Sequence, residues 1–216
     1  IARQTMSWIQ SINQRGAFMN YGTGSNADTN EIAGFLARKV GMFLQSSSQL
    51  TQVDQGSHDQ IGICYYPHPD HQKANGVAIG GASLWIGNDK SQAIQNGAWN
   101  FTKFLMRPDV QAQWQVKTGY LAVNMKSQKL GILQRYYRRH PEARVPGEQL
   151  AGTKPDQNNS GIYLPNMNQE RVDTQSMMSD IYNGDGVVKS LRQTQKDLNN
   201  SIATTNRANQ GHHHLK

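Results

Sequence analysis

Two adjacent glycines, Gly80 and Gly81, sit in the middle of the longest apolar run of the chain, residues 76–86. Glycine weakens a strand interior, so such a pair marks either a strand bulge or a place where another backbone or a ligand must come close. A second candidate is Ser46-Ser47-Ser48, which closes the short apolar segment 41–45 ahead of a helical stretch. Hydroxyl side chains next to free helix N–H groups suit an anionic or polyhydroxylated ligand, and they equally suit simple N-capping. His68 and His71, with Asp59 and Asp70 nearby, contain metal-ligating types, but no HxH or HxxxH spacing on a regular element supports a site, and the loop reads as solvated. Cys64 lies in an apolar stretch and reads as a small strand residue. No Ser/His/Asp, Cys/His or paired-carboxylate constellation stands at usable spacing, so catalysis is not expected.

The elements that must hold these residues can be read from periodicity. Met6, Trp8, Ile9 and Ile12 have helical spacing and stop at Arg15-Gly16, where glycine can cap. Ile32, Phe35, Leu36 and Val40 form one apolar face behind a candidate N-cap at Asn30. Strands are expected at 41–45, 60–66 and 76–86. A helix with Ile94, Ala98, Phe101 and Leu105 inward should begin near Asn88–Ser91, break at Arg107-Pro108 and restart with Val110 and Trp114 on its apolar side. It should leave through Gly119 into an extended segment. Leu130–Arg139 reads as a short helix, and Pro141, Pro146 and Pro155 punctuate the loop-rich stretch beyond it. Residues 163–171 lead into a further helix, and a last one carries Val188, Leu191, Leu198 and Ile202 inward.

Composition narrows the functional classes. The 216 residues are 36% hydrophobic and carry a net charge of +7. No apolar run approaches the roughly 18 residues that span a bilayer. A single cysteine excludes an internal disulfide and leaves the compartment open. The positive charge admits a nucleic-acid-binding or interaction domain, with Arg135 to His140 as the densest basic cluster, but the remaining basic residues are scattered. The chain opens at Ile1 inside a helical pattern, which suggests a fragment or a processed chain, and the tail 207–216, with His212 to His214, is assigned no chemistry.

Taken together, Gly80-Gly81-Ala82-Ser83-Leu84-Trp85, the helix with Phe101 to Leu105, Arg107-Pro108-Asp109-Val110-Gln111-Ala112-Gln113-Trp114 and Thr118-Gly119-Tyr120-Leu121 occur in an order and spacing that resemble the extracellular solute-binding proteins of ABC importers. The likeness is greatest to the branch that binds sn-glycerol 3-phosphate, and it runs from about residue 1 to about residue 202, roughly the C-terminal half of such a protein. The resemblance implies an α/β fold, the two-lobe periplasmic-binding-protein clamshell of type II. Residues 1–74 would then belong to the second lobe, 75–123 would cross into the first lobe, 124–206 would return, and 207–216 would form the tail.

It also implies ligand-binding roles for four residues. Ser46 matches the family's serine at the strand end, although Ser47-Ser48 replaces the following Ser-Gly. Gly81 matches the glycine whose backbone N–H meets ligand. Tyr120 matches the tyrosine of Thr-Gly-Tyr-Leu, with Ala122 where the family has proline. Arg171 matches the arginine of Asn-Met-x-Gln-x-Arg. An arginine fork binds phosphate in bidentate fashion, and hydroxyls serve phosphate or glycerol oxygens. Read without the resemblance, Tyr120 could be a hinge or core aromatic and Arg171 a surface ion pair. The implied function is capture of glycerol 3-phosphate or a glycerophosphodiester and delivery to ABC permease subunits, by a monomer in the periplasm or on the outer face of the membrane, without cofactor, metal or nucleic acid. A sugar- or oligosaccharide-binding importer component is the alternative.

Overall fold

The computed structural model describes residues 2–24, 26–156, 159–161 and 164–210. The expectations for the tail beyond residue 210 and for Tyr163 lie outside the described residues. The chain divides into two compact units, one of residues 1–31 and 162–216, the other of residues 32–161.

The first unit is built on α1 (Ala2–Gln14), α8 (Met167–Tyr182) and α9 (Val187–Gln210). Met177, Ile181 and Val187 form its buried centre, with Met6, Met178 and Leu191 packed against them. Polar side chains of α1 finish the joint: Gln10 Nε2 donates to the carbonyls of Ile181 (3.2 Å) and Asp185 (2.9 Å), and Asn13 Nδ2 to that of Tyr182 (2.8 Å). The bond to Tyr182 gives a partner to a carbonyl in the last turn of α8, where helix carbonyls lack intrahelical donors. Phe18 stacks on Tyr182 with ring centroids 4.8 Å apart. As expected, α1 ends at a left-handed glycine, Gly16 (φ 69°). The inward valine at the start of α9 is Val187, whereas Val188 is exposed, one position away from the residue the periodicity favours.

The second unit contains α3 (Leu50–Gly56), α4 (Gln92–Leu105), α5 (Pro108–Thr118), α6 (Gly131–Arg139) and α7 (Val145–Ala151). Between the two units in sequence, α2 (Ala27–Leu36) begins earlier than the Asn30 cap suggests. The core of the second unit is Ala112, Leu133, Tyr137 and Ala143, with Leu50, Val116, Leu130, Ile132 and Tyr136 against it. Pro108 opens α5 as its first residue and Gly119 (φ 74°) closes it, as the sequence predicts. The inward residues of α5 are Ala112 and Gln115, however, and Trp114 is exposed.

Gln115 is a buried polar hub. Its Nε2 donates to Tyr137 Oη at 2.7 Å, and its Oε1 accepts the Ala122 N–H at 3.0 Å. Tyr137 Oη in turn donates to Gln128 Oε1 at 2.9 Å. Gln115→Leu should therefore destabilise the fold by roughly 1–3 kcal/mol, because a buried backbone N–H loses its acceptor. Urea denaturation checks this, and an unchanged midpoint would show that the hub is dispensable.

Among the described residues no strand ladder forms, so the strands expected at 41–45, 60–66 and 76–86 are not present. A strand needs a neighbouring strand to take its N–H and C=O groups. Here side chains of the α7 region take several of them. Gln149 bonds both the N–H (3.0 Å) and the carbonyl (3.3 Å) of Tyr66, and Thr153 Oγ1 accepts the Val77 N–H at 3.0 Å. The apolar residues of the third segment stay in solvent, with Ile79 73% and Trp85 90% exposed.

Candidate functional site

In the second unit the serine run and the Thr-Gly-Tyr-Leu corner come together. Ser46 is the N-cap of a 3-10 turn, Ser47–Gln49, that leads into α3. Its Oγ accepts the Ser48 N–H at 3.3 Å and the Ser48 hydroxyl at 3.0 Å. N-capping is thus one role Ser46 performs, and its side chain stays exposed. Gly119 lies directly beneath this turn: a Cβ at Gly119 would stand 2.6 Å from the Ser47 carbonyl oxygen and 3.3 Å from that of Ser48. Only a glycine permits this approach with the left-handed backbone that α5 needs to end. The next residue, Tyr120, is half exposed, and its N–H donates to Thr118 Oγ1 at 3.3 Å. Tyr120 is therefore not a core aromatic. Ser47, Leu50, Gln115, Gly119, Leu121 and Tyr136 line a small recess at this junction.

The other two expected ligand residues lie on other parts of the chain. Gly81 has φ 156° and nothing within 4 Å of its Cβ direction, so its surroundings are open. Arg171 lies in α8, in the first unit, and is exposed. No ion-pair partner for it occurs among the described residues. The N-terminus of its helix is anchored by Asn166, whose Nδ2 donates to Ser201 Oγ of α9 at 3.1 Å. Glu170, immediately before Arg171, is buried.

The structure moves the metal-ligating chemistry elsewhere. His68 and His71 are exposed, and Asp59 accepts from Nε and Nη2 of Arg38, both at 2.8 Å. A different set, Asp54, His140 and Glu142, converges with its ligand atoms within 4.8 Å of one another. No local spacing signals this set, because His140 falls at the end of a basic segment and Asp54 lies 86 positions away. In that basic segment Tyr137 enters the core with the Arg144 guanidinium 4.8 Å over its ring and Tyr136 packs against the same core, whereas Arg135, Arg138 and Arg139 are exposed. Burial pushes the Tyr136 phenol above its ordinary range, and the carboxylates of Asp54 and Glu142 add to the shift.

Residues 2–140 match the family described as bacterial extracellular solute-binding protein. The chain is 27% identical over 178 residues to the sn-glycerol-3-phosphate-binding periplasmic protein UgpB of Pectobacterium atrosepticum, covering 82% of this chain and 39% of that protein. It is 26% identical over 196 residues to the protein of the same name from Salmonella typhimurium, covering 90% and 44%. Its fold is similar to the crystal structure of UgpB from Mycobacterium tuberculosis in complex with glycerophosphocholine, with a TM-score of 0.67 and 23% identity over 78% of this chain and 42% of that one. The chain thus spans about two fifths of the length of the relatives it matches, and the last likeness speaks to fold alone.

Proposed function

Because the chain belongs to the bacterial extracellular solute-binding protein family, we propose that it is part of the substrate-binding component of an ABC importer that captures sn-glycerol 3-phosphate or a glycerophosphodiester. The observation that carries this reading is the similarity over 82 and 90% of the chain to periplasmic proteins named for that ligand. In this reading the protein works outside the cytoplasm, as a monomer, by binding rather than catalysis, and hands its ligand to permease subunits.

The residue roles rest on the family resemblance, and the chemistry of the residue types fits them. Arg171 anchors phosphate through its planar fork, Gly81 offers a backbone N–H in an open setting, and the hydroxyls of Ser46 and Tyr120 take the remaining oxygens. The meeting of the serine turn with the Gly119-Tyr120 corner supports placing Ser46 and Tyr120 at one ligand. The lobe assignment of a type II α/β clamshell, with 75–123 crossing into the first lobe between 1–74 and 124–206, has its own support. Ile94 and Phe101, inward residues by their periodicity, are instead more than half exposed, as is Trp85, and such an apolar surface fits a segment whose packing partners belong to another part of a lobe. Closure of the lobes on ligand would then be the signal read by the permease.

Calorimetry on the full-length protein tests the reading. It should show binding of sn-glycerol 3-phosphate or glycerophosphocholine, with inorganic phosphate competing. Binding of neutral sugars with none of the phosphorylated ligands would replace it with the sugar-importer alternative.

A further inference from the structure

We propose that Asp54, His140 and Glu142 form a site for one divalent transition-metal ion of the zinc class, separate from the solute-binding residues. The three come from different pieces of the second unit: Asp54 from α3, His140 from the C-cap of α6, and Glu142 from the 3-10 turn Pro141–Arg144. Pro141 stops α6, so the backbone leaves the helix at His140 (φ −130°, ψ 71°) and turns two residues later toward α3. His140 Nδ1 lies 3.3 Å from Asp54 Oδ2 and 3.5 Å from Glu142 Oε1. Four ligands at about 2.0–2.1 Å around a tetrahedral ion are about 3.3–3.4 Å apart, so the two separations from His140 match edges of such a site, and all three ligand atoms lie within 4.8 Å of one another. They are longer than good N–H to oxygen hydrogen bonds.

Three further features favour an ion. The imidazole ring is held by Tyr136, with centroids 4.9 Å apart, so Nδ1 is aimed rather than free to turn. Arg144, the basic residue closest in sequence to Glu142, is occupied over the Tyr137 ring and neutralises neither carboxylate. The three side chains are 20–37% exposed, which shields them partly while leaving a fourth position open to water or a small ligand. Imidazole and carboxylate donors suit zinc and its first-row neighbours, and a cation would relieve the repulsion between the two converging carboxylates. A bound ion would tie α3 to the end of α6. Because α3 comes directly after the Ser46–Ser48 turn, it would stiffen the support of that turn.

The test uses the full chain with His212, His213 and His214 replaced by alanine, which removes the affinity of the tail. Titration with Zn²⁺ against a chromophoric chelator at neutral pH should show one equivalent bound, and Co²⁺ should give the visible absorption of a tetrahedral centre. His140→Ala should weaken binding at least about tenfold, and Glu142→Gln, at a partly exposed position, serves if the first variant does not fold. His68→Ala should change nothing. Absence of stoichiometric Zn²⁺ binding overturns the proposal, as does binding left intact by both site variants. In either case the cluster would be a histidine ion-paired to two carboxylates. The result is independent of solute binding, which is measured separately.

Discussion

Arg171→Ala in the full-length protein is expected to weaken binding of sn-glycerol 3-phosphate by about 2–5 kcal/mol, the loss typical of truncating one member of a buried, hydrogen-bonded charge pair. That corresponds to roughly thirtyfold to a few thousandfold in Kd. In this chain Arg171 is exposed and makes no ion pair among the described residues, so its guanidinium is available for an anionic ligand. For the same reason the substitution should leave folding intact, which circular dichroism can verify. Arg171→Lys should keep part of the affinity, because the charge remains while the two-pronged geometry is lost. Calorimetry that finds the alanine variant as tight as the parent removes Arg171 from the phosphate site.

Gly119→Ala should destabilise the second unit by about 2–4 kcal/mol, combining the strain of a left-handed alanine with overpacking. The new methyl would be driven to 2.6 Å from a backbone oxygen of Ser47, which cannot swing aside as a flexible side chain would. Two relaxations are open: the serine turn lifts off, or α5 loses its C-cap. Either displaces Ser46 relative to Tyr120, so ligand affinity should fall together with stability. Gly81→Ala provides the contrast, since its backbone (φ 156°) is also unfavourable to alanine but no atom lies within 4 Å of its added carbon. The melting temperature of Gly119→Ala should drop by several degrees. A drop no larger than for Gly81→Ala would mean that the approach of Gly119 to the turn is not needed.

Much of the helical framework was legible in the sequence. Gly16, Pro108 and Gly119 mark helix ends by backbone chemistry that depends on few neighbours, and all three do so in the structure. The face of a helix was less legible. Trp114 and Val188 were favoured as inward residues by hydrophobicity, yet Gln115 and Val187 are the buried ones. Burial is decided by what packs opposite, and a glutamine enters a core when Tyr137 and the Ala122 N–H satisfy its amide. The extended segments failed as strands for a related reason: an apolar run has strand character, but only a partner supplies a ladder, and here Gln149 and Thr153 bind the backbone instead.

The sequence by itself determined the family resemblance, the helix boundaries set by glycine and proline, and the residue types suited to a phosphorylated polyol, because these depend on local backbone preferences and on the order of motifs. Tertiary structure alone decided that the serine turn rests on Gly119. It also decided that Arg144 covers Tyr137, and that Asp54 meets His140 and Glu142. Contacts between residues far apart in the chain are set by how helices pack, and no local propensity encodes them.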